Sequence, residues 1–209
     1  MELFRSIDFR CEKMIQSGFL QEVVSLVKSG ALTVLRENAT EMTPAERSIG
    51  YRQALDLIAN TTRILSESKD ITDEEVLDKV DTEFLEFLKV FMAASRQFSV
   101  RQLKSFRREP MFFWIESSSD LPSVLRRELD MPPEQFWRER VGDAARNWHD
   151  YKDSASTGRY LTDKDHKLMQ KCMKEFISRF EYYGEKPERL VAVRNFIEAL
   201  RAAGLATDA

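Results

Sequence analysis

The sequence is poor in the residues that several classes of protein depend on. Seven glycines and six prolines in 209 residues are too few for a turn-rich β fold and favour long helices. The two cysteines, Cys11 and Cys172, lie far apart and give no disulfide framework, so the expected environment is reducing. No apolar run approaches the roughly eighteen residues of a membrane span, and the N-terminus lacks the apolar core of a signal peptide. We therefore expect an intracellular protein, in the cytoplasm or an organelle, with no membrane partner.

The placement of glycine and histidine makes two kinds of site improbable. No glycines are spaced as G-x-G-x-x-G or G-x-x-x-x-G-K-[ST], so the sequence predicts no phosphate-binding loop. The two histidines, His149 and His166, have no cysteine pair near them, and neither the number nor the spacing of ligands suits a zinc finger. The expectation is that this chain by itself holds no metal and no cofactor.

What the sequence does contain is typical of a globular, mainly helical protein. It is 43% apolar and 32% charged, and its 35 acidic and 32 basic residues give a net charge of −3. Such a balance gives no overall attraction to nucleic acid, so any binding of that kind needs a local patch.

Apolar spacing and helix-capping signals predict the order of the elements. Thr43 to Glu46 and Thr72 to Glu75 each have the form of a capping box at the start of a helix. Residues 60–70 are predicted as a polar loop or a frayed extension, and residues 112–115 as at most one short strand. The predicted helices cover residues 1–16 and 19–27, a segment beginning at Thr43, and residues 72–108, 163–183 and 187–203.

A strongly cationic segment lies at the end of the predicted helix 72–108. Residues 95–108, SRQFSVRQLKSFRR, contain five cations and no acid. On a helical wheel the cations Arg96, Arg101, Lys104, Arg107 and Arg108 fall within about 140° of arc. The opposite side, between about 200° and 340°, carries Leu85, Phe91, Phe98, Leu103 and Phe106. The cationic side, with Gln97 and Gln102, is either an ordinary solvated face or a face that contacts the phosphates and base edges of a nucleic acid.

Three segments, in order, resemble the tRNA dimethylallyltransferase family. FRCEKMIQSGFLQEV at 9–23 is similar to the family's Arg-x-x-x-Met…Gly-(Leu/Phe)-x-x-Glu-Val helix pair. RSIGYRQ at 47–53 is similar to its Gly-Tyr-Arg-Gln segment. SRQFSVRQLKSFR at 95–107 is similar to its Thr-Arg-Gln-x-Ala-Lys-Arg-Gln-x-x-Trp-x-Arg helix. The resemblance covers roughly residues 3–116.

The resemblance implies a function and a set of site residues. Family members transfer a dimethylallyl group from dimethylallyl diphosphate to N6 of the adenosine beside the anticodon, so the implied partner is the anticodon stem-loop of tRNA and not DNA. Arg10 matches the arginine that contacts the pyrophosphate. The residues that match tRNA-contacting segments, together with neighbouring cations and amides, are Arg47, Gly50, Tyr51, Arg52, Gln53, Arg96, Gln97, Arg101, Gln102, Lys104 and Arg107.

The chain also departs from the family pattern. Val100 replaces a lysine inside the cationic side, Ser105 replaces a tryptophan, and Lys104 stands where the family usually has no cation. The family's phosphate loop and its general-base aspartate precede the matching region and are not found in this sequence. We therefore expect the helical C-terminal portion of a P-loop α/β enzyme, with the P-loop half as its missing partner. Mg²⁺ and dimethylallyl diphosphate are expected only for the complete enzyme, and this chain alone is predicted to be inactive.

The remaining residues match no segment of the family. Residues 1–116 are predicted as the C-terminal half of the enzyme core, 117–151 as a helical extension, 152–162 as a linker, and 163–209 as a helical hairpin. Two alternatives stay open: a stand-alone helical module that binds tRNA or other RNA, and a protein-interaction fragment without catalysis.

Overall fold

A computed structural model describes residues 2–34, 42–67, 72–108, 120–136, 167 and 171–206. Within these ranges the chain is helical with intervening turns and contains no strand, which confirms the predicted mainly α class. The predicted strand at 112–115 and the predicted linker at 152–162 lie outside the described residues. The helices are α1 (Glu2–Gln16), α2 (Phe19–Lys28), α3 (Tyr51–Glu67), α4 (Asp73–Arg108), α5 (Leu121–Asp130), α6 (Pro133–Phe136) and α7 (Lys186–Ala202).

The chain divides into two compact units. Met1–Gln97 and Phe176–Ala209 form the first unit, and Phe98–Glu175 form the second. The boundary therefore falls within α4, and the C-terminal helix α7 belongs with the N-terminal helices. The predicted domain boundaries, after residue 116 and around residues 152–162, stay a prediction. No described helix is long and apolar enough to cross a membrane.

The core of the first unit is built from one face of each of its five helices. The centre of α4 contributes an apolar stripe that is almost fully removed from solvent, and α2, α3 and α7 pack aliphatic and aromatic side chains against it. Burying each such side chain contributes on the order of 1.5–3 kcal/mol. The core side chains that are 0% exposed are Val23, Ala54, Ile58, Val80, Phe84, Leu88, Met92, Val193, Phe196 and Leu200.

Residues 176–185 connect to α7 without forming a helix. The side chain of Glu12, which is fully buried, accepts hydrogen bonds from the backbone N–H groups of Glu181, Tyr182 and Tyr183 at 2.8–3.1 Å. Those N–H groups are thereby used by α1 instead of by a helical turn. The predicted helix 163–183 is wrong at its C-terminal end, because the helical residues described there stop at Glu175. The following helix, predicted at 187–203, is confirmed as α7.

One capping box behaves as predicted and the other does not. Thr72 and Glu75 exchange side chain to backbone hydrogen bonds of 3.2 and 3.3 Å at the start of α4, as predicted. Thr43 and Glu46 do the same, at 2.6 and 3.2 Å, but the turn they close does not continue into a helix. The buried Glu46 also accepts the backbone N–H of Thr33 at 2.9 Å, so this box fastens a loop.

Helix α3 extends further than its polar sequence suggested. Residues 60–67 are helical rather than a loop or a frayed end, because Ile64 and Leu65 are buried in the core. Two buried apolar side chains outweigh the low helix propensity of the adjacent threonines.

The second unit has fewer described residues than the first. It comprises the end of α4 from Phe98, the short helices α5 and α6, and a helical stretch at residues 171–175.

Candidate nucleic-acid interface

Arg10 lies on the solvent-facing side of α1. The buried residues of this helix are Phe4, Asp8, Cys11, Glu12 and Ile15, which recur at helical spacing on one face. Arg10 falls outside that face and its side chain is exposed. The structure therefore leaves its guanidinium accessible to an anionic ligand.

Gly50 occupies a position that strongly favours glycine. Its φ of +98° lies in the left-handed region, and a Cβ would stand 3.1 Å from Cζ of Phe19 and 3.2 Å from Cε2 of Phe91. Its backbone N–H donates to Oε1 of Gln53 at 2.7 Å. The predicted tRNA-contacting residues Gly50 and Gln53 thus bond to each other at the entry to α3.

Tyr51 is held in place by α2. Its hydroxyl donates to Oε1 of Glu22 at 2.7 Å, and its ring packs against Phe19 with centroids 5.7 Å apart. The hydrogen bond to Glu22 raises the pKa of the Tyr51 hydroxyl, with a smaller contribution from burial. Sequence reasoning missed Glu22 as a positioning residue, although it lies within the family segment at 9–23.

Arg47 and Arg52 flank this turn, and both side chains are exposed. Partial burial raises the pKa of Asp56, which lies one helical turn further along α3. The charge of the nearby Arg52 opposes this rise but does not cancel it. The turn at residues 47–53 thus presents two cations around a rigid glycine.

Arg96 lies in the interior of the first unit, although the helical wheel placed it with the exposed cations. It is 9% exposed and forms an ion pair with Asp8 of α1. Its Nη1 also donates to Oγ of Ser178 at 2.9 Å, and its guanidinium lies 5.0 Å from the centroid of the Phe176 ring. Burial raises the pKa of Asp8, while the charge of Arg96 opposes that rise. Arg96 therefore joins α4 to α1 and to the C-terminal segment.

The remaining polar side chains near the end of α4 do face solvent. Gln97, in the first unit, is exposed. In the second unit Arg101, Gln102 and Lys104 are exposed, whereas Val100 is half-buried. The side chain of Arg107 lies outside the described residues. The end of α4 thus carries exposed cations and amides in a stretch without acids.

The aromatic side of this stretch is less buried than predicted. Phe91 is 2% exposed, as expected for a core residue, but Phe98 and Phe106 are 44% and 41% exposed. The helical wheel predicted all three on a core-facing side, which is wrong for Phe98 and Phe106.

A cleft of about 640 Å³ lies elsewhere in the first unit. It is bounded by the turn between α1 and α2 and by α7, and Tyr182, Tyr183 and Glu188 contribute to its wall. Burial raises the pKa of Tyr183 to about 12. None of the residues predicted from the sequence as site residues lines this cleft.

The comparison with known families decides the ancestry of the chain. A model of the family described as IPP transferase matches residues 1–109, slightly more than half of the 209 residues. The chain belongs to the IPP transferase family. The resemblance to tRNA dimethylallyltransferases is thereby confirmed, and the matched residues contain α1 to α4 with the whole of the predicted contact set.

Curated relatives of this IPP transferase chain are named tRNA dimethylallyltransferases. It is 35% identical over 154 residues to tRNA dimethylallyltransferase 9 of Arabidopsis thaliana, covering 73% of this chain and 29% of the relative. It is 31% identical over 124 residues to tRNA dimethylallyltransferase of Protochlamydia amoebophila, covering 59% and 29% respectively. The chain thus spans less than a third of the length of these relatives. No solved structure matches it.

The potential metal ligands among the described residues of this IPP transferase chain are not clustered. No group of three or more His, Cys, Asp or Glu side chains in the described ranges could hold a metal ion. Three of the buried acids already have hydrogen-bond partners. Asp8 bonds to Arg96, and Glu12 and Glu46 accept backbone N–H groups.

Proposed function

We propose that this chain forms the tRNA-contacting part of a tRNA dimethylallyltransferase, which transfers a dimethylallyl group to N6 of the adenosine beside the anticodon. The observation that carries the proposal is the exposed, acid-free end of α4, which lies inside the family-matched residues. An acid-free run of cations on a chain of net charge −3 suits a phosphate backbone, because each neutralised phosphate releases bound counterions.

The proposed contacts differ from the predicted set at two positions, Arg96 and Gly50. Arg96 is left out, because its Nη1 is already used by Asp8 and Ser178 in the interior. Gly50 contributes its turn rather than a contact, since its N–H is bonded to Gln53. The residues proposed to contact tRNA are Arg47, Tyr51, Arg52, Gln53, Gln97, Arg101, Gln102 and Lys104. Arg107 is included from the family resemblance alone.

Arg10 is proposed to act on the other substrate. In the transfer, N6 of adenine forms a bond to C1 of the dimethylallyl group while the C1–O bond breaks and pyrophosphate leaves with the electron pair. A guanidinium close to the leaving oxygens stabilises the charge that develops on them. The proton released from N6 requires a base, which we expect in the P-loop half of the enzyme and not among the residues described here.

Binding of an RNA hairpin with the sequence of a tRNA anticodon arm tests the RNA-contacting part of the proposal. The purified chain should bind it with an affinity that falls steeply as salt rises. Arg101→Ala and Lys104→Ala should each weaken binding and reduce the log–log salt slope by about 1. Arg194→Ala, which removes an exposed cation on α7, is the matched control and should change neither quantity. Binding that is independent of salt and unaffected by both substitutions would exclude this part of the proposal.

Incubation of the chain alone with dimethylallyl diphosphate, Mg²⁺ and tRNA tests the expected lack of independent activity. We predict no transfer, since the sequence lacks the glycine pattern of a phosphate loop. Dimethylallylated tRNA in that reaction would show that the chain is a complete catalyst. RNA binding without transfer is the expected result, and it is equally compatible with the alternative of a stand-alone RNA-binding module.

A further inference from the structure

Phe98 is an aromatic side chain in an unusual position. Three other phenylalanines of α4, Phe84, Phe87 and Phe91, are at most 5% exposed, whereas Phe98 is 44% exposed. A phenylalanine ring that stays partly in water forgoes part of the free energy that full burial would contribute. The exposure is not compelled by helix formation, since alanine has the higher helix propensity at an exposed helical position.

The neighbours of Phe98 on the helix surface are polar and cationic. Arg101 and Gln102 follow it at i+3 and i+4, and Ser105 follows at i+7, so the four side chains share one face. Arg101, Gln102 and Ser105 are all exposed. Phe106 follows at i+8 and is 41% exposed, one further turn along the same side. Adjacent turns are about 5.4 Å apart, which brings a ring, an amide and a guanidinium within the reach of one or two nucleotides.

This combination of groups suits unpaired RNA more than any other partner. An unstacked base offers a π-face to an aromatic ring, its edge to an amide, and its phosphate to a guanidinium. A base within a duplex keeps both faces stacked, so the ring would have no partner there. A protein or lipid surface would match the apolar ring, but nothing in such a surface requires an adjacent stretch of cations without acids.

We infer that Phe98 is a stacking residue for an unpaired base of the bound RNA, with Arg101 on the adjacent phosphate and Gln102 on the base edge. The inference rests on the proposed function, because it assigns a specificity role within the same RNA-contacting surface. It distinguishes this surface from a purely electrostatic one, which would hold paired and unpaired RNA alike.

The test compares two probes and four proteins. The probes are an RNA hairpin with an unpaired loop, corresponding to an anticodon arm, and a fully paired RNA duplex with the same number of nucleotides. The proteins are the full chain, Phe98→Ala, Phe98→Tyr, and Leu129→Ala. Leu129 is 83% exposed on α5 and controls for the loss of an exposed apolar side chain. Binding is measured by fluorescence anisotropy over a range of salt, and thermal unfolding checks that each variant folds.

The expected result is a specific loss on the hairpin. Phe98→Ala should bind it about tenfold or more weakly, the loss of one base–aromatic stack, with an unchanged salt slope and unchanged duplex binding. Phe98→Tyr should keep the full affinity, because the ring remains, and Leu129→Ala should match the parent chain.

Four results would overturn the inference, and they show whether the proposed function fails with it. Salt-dependent binding of the hairpin that Phe98→Ala leaves unchanged would reject the stacking role while leaving the proposed function standing. Equal losses on hairpin and duplex, or a failure of Phe98→Tyr to retain affinity, would also reject it. If the parent chain bound neither RNA, the proposed function would fail and the stacking role with it.

Discussion

Replacing Arg96 by methionine separates a structural role from an RNA-binding role. The substitution keeps most of the side-chain length but removes the cation that pairs with Asp8. Asp8 is 1% exposed, and its Oδ2 already has no hydrogen bond in the described contacts. Leaving a buried carboxylate without its partner costs about 3–5 kcal/mol. The free energy of unfolding of Arg96→Met, measured by urea denaturation with circular dichroism, should fall by that amount. Arg101→Met, an exposed control on the same helix, should change it by less than about 0.5 kcal/mol.

The pH dependence gives this prediction a second readout. Burial raises the folded-state pKa of Asp8 above its ordinary value, and the charge of Arg96 counteracts the rise. Without Arg96 the pKa of Asp8 should be higher still. A raised folded-state pKa means that the folded protein binds the proton more tightly than the unfolded chain, so stability falls as the pH rises through that range. The stability deficit of Arg96→Met should therefore be largest near neutral pH and should shrink in acid, where Asp8 is protonated.

A double variant completes the cycle. Asp8→Leu with Arg96→Met removes both charges and should recover part of the stability lost in the single variant, because no buried charge is left unpaired. The reasoning would be refuted if Arg96→Met were as stable as Arg101→Met and bound RNA more weakly than it. That pair of results would return Arg96 to the RNA-contacting set.

Three further predictions follow from the first unit. Glu12→Gln should lower the free energy of unfolding by about 1–3 kcal/mol and speed amide hydrogen exchange at residues 181–183, because those N–H groups lose a charged acceptor; unchanged exchange there would contradict it. Gly50→Ala should lower the free energy of unfolding, measured by urea denaturation, by about 1–3 kcal/mol, because φ is positive there and a Cβ would crowd two phenylalanine rings. The control Ala45→Gly, in the exposed part of the preceding turn, should lower it by less. Asp81→Asn should cost about 1–3 kcal/mol, since Arg189 of α7 forms two hydrogen bonds of 2.9 and 3.0 Å to its carboxylate, and an unchanged melting temperature would rule this out.

Local signals in the sequence predicted most of the fold. The capping box at Thr72–Glu75 marks the start of α4, and the apolar spacing gives α1, α2 and α7 to within two residues. Residues 60–67 were misjudged because their polar character hides two apolar positions that the core buries. This error does not concern the helical class, since propensity and periodicity agree over the longer segments.

The site was predictable only where it depends on a single helix. A helical wheel assigns directions around one axis, so it grouped Arg96 with Arg101 and put Phe98 with the core. The partners of Arg96, Asp8 and Ser178, lie 88 and 82 residues away in the sequence. No spacing rule relates them. The sequence does place an acidic residue, Asp8, on the apolar face of α1. A buried carboxylate needs a partner, so this position indicates a buried cation.

Crosslinking of bound RNA to the chain tests whether the exposed end of α4 and the turn at residues 47–53 contact RNA. The full chain is irradiated with an anticodon-arm hairpin carrying a photoreactive base in its loop, and the crosslinked peptides are identified by mass spectrometry. We predict crosslinks in two segments. One is the exposed end of α4, residues 97–106, and the other is residues 47–53. Crosslinks confined to α5 or α7, with none in those two segments, would contradict it.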